Sequence, residues 1–348
     1  MTPAERVVRQ LRGIVVTARP PVLVLLAFYA ELGLAQAGKP NAYVSLAKIL
    51  AVIAAFLVFS VACNDLADEA IDRVNLPGDP RRPLVSGAVS RARLLATGWV
   101  AAGAALIISV LIGWPALLIT GVGLAVSGAY SVRPVRIAQR GVLAPLLLPA
   151  CYVAVPYLLG ITAVRYAPTG TDLALLAGLY LGFIGRILLK DFRDVRGDAM
   201  FGKRTFLVRH GRRWTCAFSA CCWAAGTSVI LAAMRDRSLV EHVAQCTIGA
   251  CAVFAIIFIA DLAAHENPCR DEALISAIAI LGRAMILILI IHLSSVDLGL
   301  APFIEFAFLN LLGALALARA LSVARHGPRL RLLPVPIEQL DEQRSLAA

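Results

Sequence analysis

Charged residues are scarce in this chain of 348 residues. Asp, Glu, Lys and Arg together supply 16% of the sequence, hydrophobic residues supply 59%, and mean hydropathy is +0.80. Soluble domains carry about 25% charged residues, so this composition excludes an ordinary soluble protein and indicates a polytopic membrane protein. The net charge is +11, but the sequence has no basic folded domain, which argues against nucleic acid as a partner.

Other common signatures are missing as well. The eight cysteines form no CxxC pair, and Cys216, Cys222 and Cys251 lie inside apolar runs. We therefore interpret the cysteines as small hydrophobic residues, which excludes a disulfide framework or a zinc site. The sequence also lacks a GxxxxGK[ST] nucleotide loop and a convincing Ser, His and Asp arrangement of a hydrolase.

Ten apolar runs bounded by charges, Pro or Gly fill most of the chain. They predict helices over residues 21–37, 44–63, 93–113, 115–131, 141–162, 172–190, 213–234, 242–263, 273–293 and 299–322. We predict an all-α fold, a polytopic transmembrane helical bundle of nine to ten spans that forms one domain.

Arg and Lys gather in alternate connections between these helices, and this asymmetry predicts orientation. Cations concentrate before helix 1 and after helices 2, 4, 6 and 10, as in the stretch 190–213. Both termini should therefore face the cytoplasm, and we expect an integral protein of a bacterial inner membrane in contact with membrane lipid. The predicted organisation is a basic interfacial segment over 1–20, a transmembrane domain over 21–322 and a cytoplasmic Pro-containing tail over 323–348.

Acidic residues gather where helices 2 and 6 end. The first set is Asp65, Asp68 and Asp72, and the second set is Asp191, Asp194 and Asp198, both spaced i, i+3, i+7. At 3.6 residues per turn, each set lies on one face of a helix. Both sets fall at cytoplasmic ends, so each can form a wall of carboxylates at the same membrane depth.

Two facing carboxylate walls repel each other unless cations lie between them. Mg²⁺ is the natural partner, because it binds carboxylate and phosphate oxygens together. A diphosphate bridged by such ions also needs cationic donors, and the connections supply Arg73, Arg81, Arg82, Arg133, Arg136, Lys190, Lys203 and Arg204. The pattern predicts a magnesium and diphosphate site that opens onto a hydrocarbon-lined bundle.

These segments resemble the paired aspartate motifs of the UbiA superfamily of intramembrane prenyltransferases. NDLADEAID at 64–72 is similar to that family's NDxxDxxxD, and DFRDVRGD at 191–198 is similar to its DxxDxxxD. RRPLVSG at 81–87 resembles the family's RPxxSG segment, GKRT at 202–205 its Gly-Lys-x-Thr, and AYSVRPVR at 129–136 its Tyr-Ser-x-x-Pro. The resemblance covers about residues 19 to 320.

The resemblance implies a bundle around a central cavity and a prenyltransferase, a transferase of alkyl groups other than methyl. Mg²⁺ would bind an isoprenyl diphosphate donor, and a lipophilic or aromatic acceptor would receive the prenyl group. The implied catalytic and metal-binding residues are Asp65, Asp68, Asp72, Asp191, Asp194 and Asp198. The predicted diphosphate-binding residues are Asn64, Arg73, Tyr130, Lys190, Lys203 and Arg204.

Two other functions stay open. A terpene cyclase of the same superfamily would use the same aspartates, and its carbocation would be captured by its own double bonds. A transporter or lipid-binding membrane protein would instead place coupling acids at mid-bilayer, whereas these aspartates cluster at helix ends beside arginines. The second motif resembles the menaquinone, tocopherol and chlorophyll branches more than the 4-hydroxybenzoate branch, which argues against 4-hydroxybenzoate as the acceptor.

Arg283 interrupts helix 9 near mid-membrane, where an unpaired charge is costly. Two interpretations are open: the guanidinium binds an acceptor carboxylate or carbonyl, or it pairs with a buried residue such as Glu31 or Glu305.

Overall fold

The computed structural model describes residues 19–40, 42–75, 82–192, 200, 202, 204–234, 238–299 and 301–327. Within these ranges, nine helices are long and apolar enough to cross a membrane, and a shorter apolar helix of 17 residues precedes them. All ten coincide with predicted runs, so the predicted all-α bundle is confirmed. Most of the predicted N-terminal segment, 1–18, and most of the predicted tail, 328–348, lie outside the described residues.

The chain contains these elements in order. The helices are α1 (Pro20–Gln36), α2 (Tyr43–Ala67), α3 (Glu69–Asn75), α4 (Arg91–Val110), α5 (Trp114–Ser131), α6 (Leu143–Pro149), α7 (Val155–Thr162), α8 (Gly170–Leu188), α9 (Phe206–Ala233), α10 (Leu239–Ala264), α11 (Pro268–Leu298) and α12 (Pro302–His326). Short connecting pieces are a 3₁₀ turn (Ile137–Gln139), strands β1 (Arg140–Gly141) and β2 (Arg204–Thr205), and a π turn (Ala150–Ala154) between α6 and α7.

Several helices are longer than their apolar runs. Helix α2 continues to Ala67, four residues past its predicted end, so the first aspartate lies inside the helix. Helix α9 begins at Phe206, ahead of its predicted run over 213–234. Gly211, with a φ of 77°, interrupts the regular helical backbone within this added part. Charged residues mark the membrane surface in the sequence, but a helix can extend beyond that surface.

The fifth predicted span, 141–162, contains an unpredicted irregularity. Pro149 ends α6, and the chain then makes a π turn before α7. Such single turns are frequent at functional sites, because the extra residue changes which way the following side chains point. Here the π turn contains Tyr152.

Glycines bring neighbouring helices into close contact. A Cβ at Gly178 in α8 would lie 2.8 Å from the carbonyl oxygen of Gly226 in α9, and a Cβ at Gly33 in α1 would lie 2.2 Å from the Tyr157 carbonyl oxygen. Small residues at such crossings let two backbones approach, which is how helices pack in membranes without a hydrophobic driving force. Helices α1, α8, α9 and α11 thereby surround the interior of the bundle.

We call the end of the bundle that carries Asp65 and Asp191 the aspartate end. There, β1 pairs in parallel with β2, and Arg140 lies opposite Arg204. This pairing holds the segment before α9 against the connection that follows α5.

The opposite end is fastened by a buried acid. Asp172 has no exposed surface and accepts hydrogen bonds from Gln36 Nε2 at 3.1 Å, Arg165 Nη2 at 3.2 Å and the Thr169 backbone N–H at 2.7 Å. These bonds join the end of α1, the end of α7 and the start of α8, so we assign Asp172 to the stability of the bundle.

Candidate active site

The first aspartate motif stays on one side of a nearly continuous helical segment. Asp68, between α2 and α3, has φ −105° and ψ 11°, yet its N–H donates to the Asn64 carbonyl and its own carbonyl accepts from the Asp72 N–H. The turn therefore continues through the junction. Asp65, Asp68 and Asp72 are 3%, 6% and 8% exposed, so three carboxylates are buried at the aspartate end.

Arginines neutralise these carboxylates. Arg82 Nη1 lies 2.6 Å from Asp65 Oδ1 and 3.1 Å from Asp72 Oδ2, so one guanidinium bridges the two acids. Arg19 Nη2 lies 2.5 Å from Asp65 Oδ1. Buried charges are tolerated when they are paired and hydrogen-bonded, which these contacts achieve.

Arg136 completes this set from the connection after α5. Its Nη2 donates to Asp68 Oδ1 at 3.0 Å and to the Ala67 carbonyl at 2.8 Å. Among the described non-glycine residues, positive φ values occur at Arg19 (44°) and Arg136 (36°), and both side chains bind this motif. Such conformations are uncommon and concentrate at functional sites.

Asp72 is the least compensated acid of the three. Its pKa is raised to about 6, chiefly by burial and also by the neighbouring charges of Asp65 and Asp68, against the lowering effect of Arg82. A cation bound beside it would favour the ionised form and lower this pKa.

The second motif reaches the same region from α8. Lys190 and Asp191 follow the end of α8 and line a small cavity together with Tyr130 and Thr205. Tyr130, in the last turn of α5, interacts electrostatically with Asp191 and also with Asp68. One tyrosine therefore lies near both aspartate segments. Asp194, Asp198 and Lys203 lie outside the described residues.

Aromatic rings continue from this cluster into the bundle. Tyr152, from the π turn, lies close to Ser60 and to Asp65. Its ring stacks on Phe183 with centroids 6.0 Å apart, and Phe183 meets Tyr29 edge to face at 6.4 Å. The rings of Tyr152, Phe183 and Tyr29 thus extend from the carboxylate cluster into the apolar interior of the bundle.

Comparison with known proteins identifies the family. Residues 23–274 match the model of the UbiA prenyltransferase family, which is well over half of the chain. The chain belongs to this family. The resemblance seen in the sequence motifs is therefore confirmed.

Individual UbiA relatives match over part of their length. The 34 kDa chain of bacteriochlorophyll synthase from Chloroflexus aurantiacus is 30% identical over 44% of this chain and 48% of its own length. Digeranylgeranylglyceryl phosphate synthase from Methanoculleus marisnigri is 35% identical over 52% of this chain and 64% of its own length. The chain thus spans about half to two thirds of these two relatives.

A solved structure has the same fold. The UbiA homologue from Archaeoglobus fulgidus bound to DMAPP and Mg²⁺ has a TM-score of 0.53 and 16% sequence identity, covering 90% of this chain and 99% of its own. At this identity the likeness establishes the fold alone.

The predicted diphosphate-binding residues are placed differently from one another. Tyr130 and Lys190 lie beside Asp191, and Asn64 is half-buried next to Asp65. Arg73 is 56% exposed and pairs with Glu69 at 2.9 Å, and Arg204 is exposed in β2. The structure therefore brings the first three near the carboxylates, and the diphosphate-binding roles of all these residues stay predictions.

Three residues near the site were not among the predicted ligands. Arg19 belongs to the predicted basic interfacial segment over 1–20, yet it binds Asp65 across 46 positions of sequence. Tyr152 is brought in by the π turn. Arg186 lies 5.9 Å from the centre of the Phe183 ring, within an apolar helix. Only Arg186 had a usable signal, because an arginine inside a span marks a functional site by default.

Arg283 has no described hydrogen bond or ion pair. Glu305, one of its proposed partners, is instead bound by His292 Nδ1 at 2.8 Å. Glu31, the other one, has a carboxylate oxygen that is buried without a hydrogen-bond partner among the described residues. The pairing interpretation thus gains no support from the described part of the chain.

Mg²⁺ fits this site by the chemistry of the available donors. Three buried carboxylates and the neighbouring Asn64 amide offer the hard oxygen ligands that Mg²⁺ prefers. Among the described residues, however, no three acidic, His or Cys groups are already arranged as a metal-binding set. Asp65, Asp68, Asp72 and Asp191 are the described residues that would hold the ion.

Proposed function

We propose that this UbiA-family protein is an intramembrane, Mg²⁺-dependent prenyltransferase that moves an isoprenyl group from an isoprenyl diphosphate to a lipophilic or aromatic acceptor. The observation that carries this proposal is that Tyr130 lies near both Asp68 and Asp191 and shares a small cavity with Asp191. Two acidic segments far apart in sequence thereby face one space at the aspartate end. A single diphosphate placed there can be bound from both sides.

Diphosphate binding uses the charges of this end. Lys190 and the Tyr130 hydroxyl donate to diphosphate oxygens, and Arg82 and Arg136 offset the carboxylates while the anion enters. Mg²⁺, when bound by the carboxylates, supplies further positive charge against the leaving diphosphate. We assign Asp194, Asp198, Lys203, Arg73 and Arg204 to the same site from the family motifs.

The reaction is a transfer between two substrates. The allylic C–O bond of the donor breaks, and its electron pair leaves with the diphosphate. A nucleophilic atom of the acceptor forms the new bond to the allylic carbon and loses its proton. The fixed cationic donors stabilise the charge that develops on the leaving group, without having to reorganise during the reaction.

The aromatic rings that extend from the carboxylates into the bundle stabilise the developing carbocation. The Tyr152 ring, which stacks on Phe183 through one face, offers the negative side of its quadrupole to a cation through the other. Apolar walls exclude water, which would otherwise capture the carbocation. The glycine-lined cavity beside Phe183 encloses only about 40 Å³, so an isoprenyl chain must displace neighbouring side chains to enter.

Orientation and acceptor follow from charge and from the relatives. The excess of Arg and Lys in the connections at the aspartate end supports a cytoplasmic site in a bacterial inner membrane, with 21–322 as the catalytic transmembrane domain between the interfacial segment 1–20 and the tail 323–348. The names of the two relatives, which give bacteriochlorophyll and digeranylgeranylglyceryl phosphate, support a lipophilic acceptor.

A turnover assay tests the proposal. Purified protein with Mg²⁺ would receive labelled geranyl, farnesyl and geranylgeranyl diphosphates, with and without lipophilic and aromatic acceptors. Diphosphate release and organic products would be followed by mass spectrometry. We expect release that requires an acceptor and that is lost in Asp65→Asn and Asp191→Asn.

Other outcomes would contradict it. Release of a cyclised product without acceptor would indicate the terpene cyclase instead. Release that is unaffected by either substitution, or no release from any donor, would overturn the assignment of the aspartates.

A further inference from the structure

A groove runs beside the active site between the aspartate-end turns of α2, α4 and α5. It encloses about 840 Å³ and is lined mainly by apolar surface, including Phe59, Leu66, Leu95, Trp99 and Val132. Leu95, Trp99 and Val132 are each at least half exposed. The groove therefore lies on the outer surface of the bundle, where it would face lipid, and is separate from the space between the two aspartate motifs.

The groove is long enough to hold part of one acyl chain. Its wall on α4 extends from Arg91 to Trp99, eight residue steps, which correspond to about 12 Å at a rise of 1.5 Å per residue. The α2 wall, from Phe59 to Ala67, has the same length. Gly128 and Ala62 form parts of its surface without side chains that would fill the groove.

The end of the groove at the membrane surface is cationic. Arg91, Arg133 and Arg136 line it, while Glu69 binds Arg91 and Asp68 binds Arg136. These three arginines and two carboxylates leave one net positive charge. Arg133 is exposed and no ion pair with another described residue involves it, and Arg136 Nε is buried without a hydrogen-bond partner in the described part of the chain.

We propose that this groove binds one anionic phospholipid of the surrounding bilayer. The headgroup phosphate lies on Arg133, with Arg91 as a further donor, and one acyl chain runs along Trp99 and Phe59. The two rings have centroids 5.9 Å apart and form one apolar surface. Basic pockets between helices at the cytoplasmic surface are where anionic headgroups bind.

The charge selects among lipids. A zwitterionic headgroup brings its own cation, so it gains little from Arg133, whereas an anionic headgroup keeps the full attraction. The attraction of one Arg near the membrane surface for an anionic headgroup corresponds to about a fivefold change in the dissociation constant. Removal of Arg133 should therefore weaken phosphatidylglycerol about fivefold and leave phosphatidylcholine almost unchanged.

Native mass spectrometry of the full chain released from micelles tests this proposal. Phosphatidylglycerol or phosphatidylcholine would be titrated into delipidated protein, and the fraction carrying one lipid would be measured. We expect one tight phosphatidylglycerol, weakened about fivefold in Arg133→Gln and also weakened in Trp99→Ala. Glycerol phosphate without acyl chains should fail to compete, because it lacks the part that occupies the apolar groove.

Matched variants separate the groove from the general surface. Arg93→Gln removes the same charge from α4 outside the groove, and Trp214→Ala removes an exposed tryptophan (71% exposed) from α9. Neither should change the affinity. Equal weakening by Arg93→Gln, equal affinity for phosphatidylcholine, or unchanged affinity in Arg133→Gln would overturn the proposal. Thermal midpoints of all four variants would exclude unfolding as the cause.

Discussion

Replacing Arg82 with Gln tests whether the first motif depends on its bridging arginine. Arg82 is the cation that contacts both Asp65 and Asp72, and its side chain is only 16% exposed. Its loss leaves Asp65 with Arg19 and deprives Asp72 of the guanidinium that lowers its pKa. The variant protein should therefore be less stable, and the loss should depend on pH.

The magnitude follows from the pKa of Asp72. With a pKa of about 6, protonating Asp72 at pH 7 costs about 1.4 kcal/mol. In the variant, Asp72 can bind a proton rather than stay charged without a partner, so this value is the most that loss of the Arg82–Asp72 pair can cost. Losing the charged hydrogen bond to Asp65 costs roughly 1.5 kcal/mol more. We expect a decrease in the free energy of unfolding of about 3 kcal/mol at pH 7.

The sign of the pH effect is also determined. Because the pKa of Asp72 is raised in the folded protein, ionising it costs stability as pH rises through about 6. Without Arg82 this pKa is higher still. At pH 5 Asp72 is already protonated in both proteins, so only about 1.5 kcal/mol of the destabilisation should remain.

Reversible unfolding by SDS in mixed micelles, followed by tryptophan fluorescence with EDTA present, measures these values. Arg73→Gln is the matched control, because it removes the same charge from an exposed pair worth at most about 1 kcal/mol. Equal destabilisation of Arg82→Gln at pH 5 and pH 7, or a loss no larger than that of the control, would refute the reasoning.

Three further changes have distinct expected results. Asp172→Ala removes the acceptor of three hydrogen bonds and leaves Arg165 without its carboxylate, so the free energy of unfolding should fall by roughly 2–4 kcal/mol, with kcat of the folded fraction unchanged. Arg283→Gln breaks no described bond and removes a charge that is costly inside the membrane, so it should not lower the free energy of unfolding, and it should raise KM for the acceptor alone; an unchanged acceptor KM would contradict a role in acceptor binding. Tyr130→Phe should lower kcat/KM for the donor about tenfold with an unchanged thermal midpoint, and a wild-type kcat/KM would remove the hydroxyl from the site.

The helices and the first motif were predictable because both depend on local periodicity. Apolar runs of bilayer length fold as helices, since every backbone polar group must be satisfied within the membrane. The spacing of Asp65, Asp68 and Asp72 then places them on one face, and the structure keeps this arrangement across a helix junction.

The partners of these acids were not predictable from local pattern. Arg19 and Arg136 reach the motif from connections 46 and 68 positions away, through unusual backbone conformations that the sequence does not signal. Arg73, adjacent to the motif in sequence, turns instead to Glu69. Proximity along the chain is therefore a poor guide to which cation serves which carboxylate, because that choice depends on how the helices pack together.

Binding of a donor analogue tests the central claim, that the two aspartate motifs form one diphosphate site. Isothermal titration of a non-hydrolysable geranylgeranyl diphosphate analogue would compare wild type, Asp65→Asn and Asp191→Asn, each with Mg²⁺ and with EDTA. The account predicts one site per chain that requires Mg²⁺ and is weakened at least tenfold by either substitution. Undiminished binding in EDTA, or binding that depends on one motif and ignores the other, would contradict it.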